Sequence, residues 1–134
     1  MKFLVDTNVW LELLLEREHA AEARSFLEKA EASRLAISEF ALYSLAVILT
    51  RLGKDSVFED FVSDTIEDSG VARVCLDVAG LRRAVAARTQ FSLDFDDAYQ
   101  YAAAERHDLV IVSFDRDFDR TGRGRVTPAQ ADLG

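Results

Sequence analysis

The chain has 134 residues, 49% of them hydrophobic, which suits one domain with a real core and leaves no room for a second. A net charge of −8, from 24 acidic and 16 basic residues, argues against a simple electrostatic nucleic-acid binder, which carries the opposite sign. The single cysteine, Cys75, argues against a disulfide framework and a zinc–cysteine site, and its apolar surroundings make it an expected core residue.

Lys2-Phe3-Leu4-Val5 runs straight into Asp6, so no signal peptide is expected, and no segment reaches the roughly 20 apolar residues of a membrane helix. The expectation is a cytoplasmic protein with no membrane attachment.

The first apolar run, 2 to 5, reads as a strand ended by Asp6, with Thr7 or Asn8 placed to cap a helix over 9–18. Apolar residues at helical spacing predict a second helix over 20–32. Residues 34–38 form the second strand, and 39–52 a largely apolar helix ended by Gly53. Helix 57–68, strand 72–76 and helix 79–89 follow, then a helix that starts after Asp94-Phe95-Asp96-Asp97 and runs to about His107. The β-branched run 109–113 suits a parallel strand covered on both faces, and Arg125-Val126 adds a short edge strand. Strands alternating with helices predict an α/β three-layer sandwich with a mostly parallel sheet of four to five strands, in one domain over 1–134.

Sheets of this kind bind ligands beyond the carboxyl ends of their strands. Asp6 directly follows the first strand, Glu39 follows the second after a serine and Asp115 the fourth after Ser113-Phe114, so three carboxylates leave the sheet at one edge. Among the clustered aspartates, a turn of about 100° per residue puts Asp97 at the border of the apolar arc and Asp96 on the solvent side. Asp94 is left as the N-cap. Four converging acids with no lysine among them would repel one another unless a divalent cation neutralises them. Mg²⁺ or Mn²⁺ prefers such oxygen ligands, and one or two ions so held can activate water against phosphorus, so the implied reaction is phosphodiester hydrolysis. His19 and His107 match neither a nucleophile triad nor a zinc spacing and are read as exposed helix ends.

"FLVDTNVWLELL" at the start and "DFDDAYQYAAAERHDLVIVSFDRDF" near the end, about 130 residues in all, resemble the PIN-domain nucleases, and among them the VapC-like toxins of toxin–antitoxin pairs. The resemblance implies a metal-dependent endoribonuclease that uses Mg²⁺ or Mn²⁺, cuts RNA, forms a homodimer and has an antitoxin partner. By position it makes Asp6, Asp97 and Asp115 the metal-site acids, with Asp117 beside them, and Thr7, Asn8 and Ser113 the groups that orient the carboxylates. The sequence departs from the family where a glutamate is usual in the helix after the second strand: Ser44 stands at that register, and Glu39 is the only carboxylate from 39 to 52. Glu39 is therefore the expected fourth acid. Arg116, Arg120, Arg123 and Arg125 are the basic residues nearest the acids that could attract RNA.

Two other enzyme classes fit poorly. A haloacid-dehalogenase-type phosphatase needs a second aspartate two residues after Asp6, where Asn8 stands, and a phosphoacceptor receiver domain needs a late lysine, yet none follows Lys54. The non-enzymatic alternative is a PIN-like domain that has lost catalysis and binds RNA or protein; Ser44 is the residue that keeps it open.

Overall fold

Four short strands form one all-parallel sheet in the computed structural model, which describes residues 1–134. These are β1 (Phe3–Val5), β2 (Leu35–Ser38), β3 (Ala72–Val74) and β4 (Val110–Val112), in the spatial order β3-β2-β1-β4. Side chains alternate across the sheet because the strand period is two. Phe3, Val5, Leu35, Ile37 and Val112 enter one apolar cluster, while Leu4, Ala36, Val74 and Ile111 enter another. Both clusters are buried, which is why the strands read as continuous apolar runs.

The first cluster is closed by α1 (Thr7–Leu14), α2 (Ala20–Lys29) and α3 (Glu39–Arg51), through Val9, Trp10, Phe26, Leu42 and Leu45. The second is closed by α6 (Phe95–His107) and by Phe118 of a 3₁₀ turn over Arg116–Arg120. Ala98, Ala102, Ala103 and Ala104 of α6 are all buried, and their small side chains let the helix lie close to the sheet on one side and to α5 (Val78–Phe91) on the other. Helix α4 (Asp55–Phe61) continues as a π-helical stretch to Asp68.

Most expected elements are present, with five local differences. Helix α1 stops at Leu14, four residues before its expected end, and Glu16 adopts a positive φ of 51° that no right-handed helix tolerates. Helix α2 gives way after Lys29 to a 3₁₀ turn over Ala32–Arg34. Asp6, and neither Thr7 nor Asn8, is the N-cap of α1, accepting from the Thr7 amide. Cys75 is exposed, because β3 ends at Val74 and the chain has already left the core. Gly53 does follow α3, at φ 69°, a conformation in which a Cβ would be strained. In place of a fifth strand, Val126 makes a single parallel bridge with Val112.

No helix is long and apolar enough to cross a membrane.

Candidate active site

The connections β1-α-β2-α-β3 run outward on one side of β1, and β4 then pairs on the other side. The strand order therefore reverses between β1 and β4, and the crevice beyond their carboxyl ends is the place where such sheets bind ligands. A cavity of about 250 Å³ lies there, lined by Asp6, Asp97, Asp115, Asn8, Gln100 and Ser44 among others.

Asp6 leaves β1 and is 6% exposed. Its Oδ1 accepts from the Thr7 amide (2.9 Å) and from Gln100 Nε2 (2.9 Å). Its Oδ2 accepts from Ser113 Oγ (2.8 Å) and, at 3.4 Å, from Asn8 Nδ2. Burial raises its pKa above the ordinary aspartate value, and the bonds from Gln100, Ser113 and Thr7 offset only part of that rise.

Ser113, buried just past β4, joins the two strand ends. Its hydroxyl donates to Asp6 and accepts from Asn8 Nδ2 (3.1 Å) and from the Asp115 amide (2.9 Å). The Asn8 carbonyl oxygen accepts from the Phe114 amide (3.2 Å), which fixes the same loop a second time. Asp115 Oδ1 in turn accepts from the Asp117 amide (2.8 Å), starting the 3₁₀ turn. With one donor and two acceptor sites in use, the Ser113 hydroxyl is fully satisfied, and alanine supplies none of these three bonds. Ser113→Ala is expected to lower any cation-dependent cleavage about 10- to 100-fold while the protein stays folded, as loss of a group orienting ligands does; initial rates and a circular dichroism melt check both halves.

Asp97 comes from the first turn of α6 and is 9% exposed. One of its carboxylate oxygens lies within 4.8 Å of one from Asp115 and one from Asp117. Desolvation first, then the charges of Asp115 and Asp6 and a hydrogen bond with Asp115, push its pKa up to about 8. Asp96 is exposed, as its helical phase requires, but it also lines the cavity rim and adds to the charge on Asp97. Asp94 occupies the N-cap position, yet its side chain makes no cap bond; only its backbone oxygen accepts, from the Ala98 amide.

Glu39 is not brought to the cavity. Its carboxylate pairs with Arg73 of β3 (2.8 Å), and that bond first, helped by Tyr43, holds its pKa below the ordinary glutamate value. The face of α3 that does reach the cavity carries Phe40, Ser44 and Ile48. Glu39→Gln is therefore expected to leave cleavage close to wild type, which a side-by-side rate measurement checks.

Three of the four expected RNA-attracting arginines are engaged. Arg120 pairs with Asp117 (3.1 Å), Arg123 with Asp108 (2.9 Å) and Arg125 with Asp119 (3.2 Å), while the exposed Arg116 has no ion-pair partner. His19 and His107 are exposed at helix ends, with His19 stacked on Phe114 at 4.8 Å between ring centroids. Gln100 is a residue the sequence reading missed. It sits three positions after Asp97 in a run that is otherwise apolar, and a lone polar side chain at that spacing was the available signal.

The donors around the cavity are all hard oxygens with an excess of negative charge, the set that suits Mg²⁺ or Mn²⁺. One buried oxygen in the wall, Gln100 Oε1, has no hydrogen-bond partner. Both observations fit a divalent cation.

A parallel α/β domain with a carboxylate cleft at its strand-order reversal is the class that fold and site define. The PIN domain family matches residues 3–124, and the chain belongs to that family. No curated protein matches the chain. Its fold is similar to a chain of a toxin–antitoxin complex from Klebsiella pneumoniae, with 24% identity, a TM-score of 0.75 and coverage of 97% of this chain and 100% of that one. VapC20 of Mycobacterium tuberculosis, a toxin that cleaves the sarcin-ricin loop, is similar at 17% identity and a TM-score of 0.76, covering 95% and 100%. FitAcB from Neisseria gonorrhoeae is similar at 18% identity and a TM-score of 0.74, covering 94% and 97%.

Proposed function

We propose that the chain is a Mg²⁺- or Mn²⁺-dependent endoribonuclease and the toxin of a toxin–antitoxin pair. The observation that carries this reading is the meeting of buried Asp6 and Asp97 with half-buried Asp115 in one cavity, a cluster whose mutual repulsion only protons or a cation can relieve.

Asp6, Asp97 and Asp115 would hold the cation, with Asp117 beside Asp97 and Asp115. When bound, it would polarise the scissile phosphate and lower the pKa of the attacking water. The chain's own groups supply position. Four donors orient the Asp6 carboxylate, and the Asn8–Ser113 bridge ties the Asp115 loop to β1. Such preorganisation places the acids before substrate arrives. Arg116 is the one cation of the C-terminal arginine group that is free to meet a phosphate.

Exposed apolar residues line α3 and its C-cap (Tyr43, Val47, Leu52) and α5 (Val78, Leu81, Val85), giving two surfaces for an antitoxin and for a second copy of the chain in a homodimer. The likeness to a chain of a toxin–antitoxin complex from Klebsiella pneumoniae supports the antitoxin partner.

A second reading, a PIN-like domain that binds RNA or protein without cutting, is favoured only by Ser44 in the cavity wall and by the engagement of Glu39 with Arg73. Incubation with a panel of structured and single-stranded RNAs, with Mn²⁺ or with chelator, separates the two. Cleavage that needs Mn²⁺ is expected; binding without cleavage across the panel would leave the second reading standing.

A further inference from the structure

Three buried side-chain atoms lack a hydrogen-bond partner: Trp10 Nε1, Glu12 Oε2 and Gln100 Oε1. Of the three residues, only Gln100 lines the acid cavity. Gln100 is 3% exposed, and its Nε2 is committed to Asp6 Oδ1 at 2.9 Å. That bond sets the orientation of the amide, since turning it over would face an oxygen to a carboxylate. A buried amide oxygen without a partner is costly and calls for an explanation.

The surroundings supply one. Ser44, which also lines the cavity, offers only a hydroxyl, and Glu39 is pinned to Arg73 outside the cavity. The three aspartates already exceed the charge of a divalent ion, so another carboxylate would add repulsion, whereas an amide oxygen adds a ligand without charge. Hard divalent cations take amide oxygens alongside carboxylates in mixed ligand sets.

We propose that Gln100 is a neutral ligand of the cation site, its Oε1 joining Asp6, Asp97 and Asp115 while its Nε2 holds Asp6 in place. The inference rests on the cation-dependent reading above. It makes α6 a two-ligand helix, with Asp97 and Gln100 one turn apart on the cavity face.

Pulsed electron–nuclear double resonance tests it on the full chain loaded with Mn²⁺ and labelled with ¹³C at the glutamine δ carbons. The other two glutamines, Gln90 and Gln130, line no part of the cavity, so a ¹³C coupling to Mn²⁺ reports Gln100 alone. The expected result is a coupling typical of a carbon one bond beyond a ligating oxygen, together with at least about tenfold weaker Mn²⁺ binding by Gln100→Leu in calorimetry. Bound Mn²⁺ with no ¹³C coupling would overturn the proposal even if the variant binds more weakly, because Gln100 would then act only through Asp6. Absence of any bound Mn²⁺ would sink the cation-dependent reading itself, a distinguishable failure. Should Gln100→Leu not fold, the resonance experiment on the wild-type chain decides by itself.

Discussion

Asp97→Asn should give a protein that is more stable without metal and inactive with it. In the folded chain Asp97 holds its proton up to about pH 8, whereas the unfolded chain releases it near the ordinary value of 3.8. Between those values the native state binds more protons than the unfolded state, so this group makes wild-type stability fall as pH rises. Asparagine has nearly the same shape and carries no charge, and it removes both the repulsion from Asp115 and Asp6 and the pH slope. The melting temperature of the metal-free variant is expected to exceed that of the wild type by roughly 3 °C or more at pH 8, about 1 kcal/mol, with a smaller gap at pH 5. Cleavage is expected to drop by more than about 100-fold, beyond what loss of an orienting group alone costs. A variant that is both inactive and less stable would mean that Asp97 serves the fold and not the site.

The second large effect is the pH dependence of cation binding. A ligand must lose its proton to coordinate, so affinity climbs with pH until the free group is already ionised. With Asp97 at about 8, Mn²⁺ affinity is expected to rise about tenfold per unit from pH 6 to 8 and to level off above. Saturation at roughly 100 times the Kd should add about 2.7 kcal/mol, seen as a rise of roughly 5–10 °C in melting temperature. Calorimetric titrations at several pH values and thermal melts measure the two effects separately. A flat profile would show that no buried carboxylate of this cluster takes part.

Much of this site can be read from local pattern. Asp6 and Asp115 are legible because short apolar runs announce strands, and the first acid beyond a parallel strand stands at the ligand edge. Asp97 is legible from helical phase, which separates it from Asp96 in burial, although both side chains reach the cavity. Other features depend on partners distant in the chain. Glu39 carries the right chemistry at the right strand end, but Arg73, 34 residues later on the neighbouring strand β3, takes its carboxylate. The engagement of Arg123 and Arg125 is likewise set by how the C-terminal loop folds back on Asp108 and Asp119. Gln100 escaped notice because an alanine-rich helix reads as packing surface, and only the approach of Asp6, 94 residues earlier, gives its amide a role. Cys75 and the early stop of α1 show the usual limit at element ends, where one residue decides between core and solvent.

The central claim is that the cavity between β1 and β4 is a divalent-cation site built by Asp6, Asp97 and Asp115. Diffraction from crystals soaked in Mn²⁺, recorded where manganese scatters anomalously, tests it most directly. An anomalous peak bounded by these three carboxylates, lost in Asp97→Asn crystals, is the expected result. A wild-type map with no peak in the cavity at saturating Mn²⁺ would contradict it.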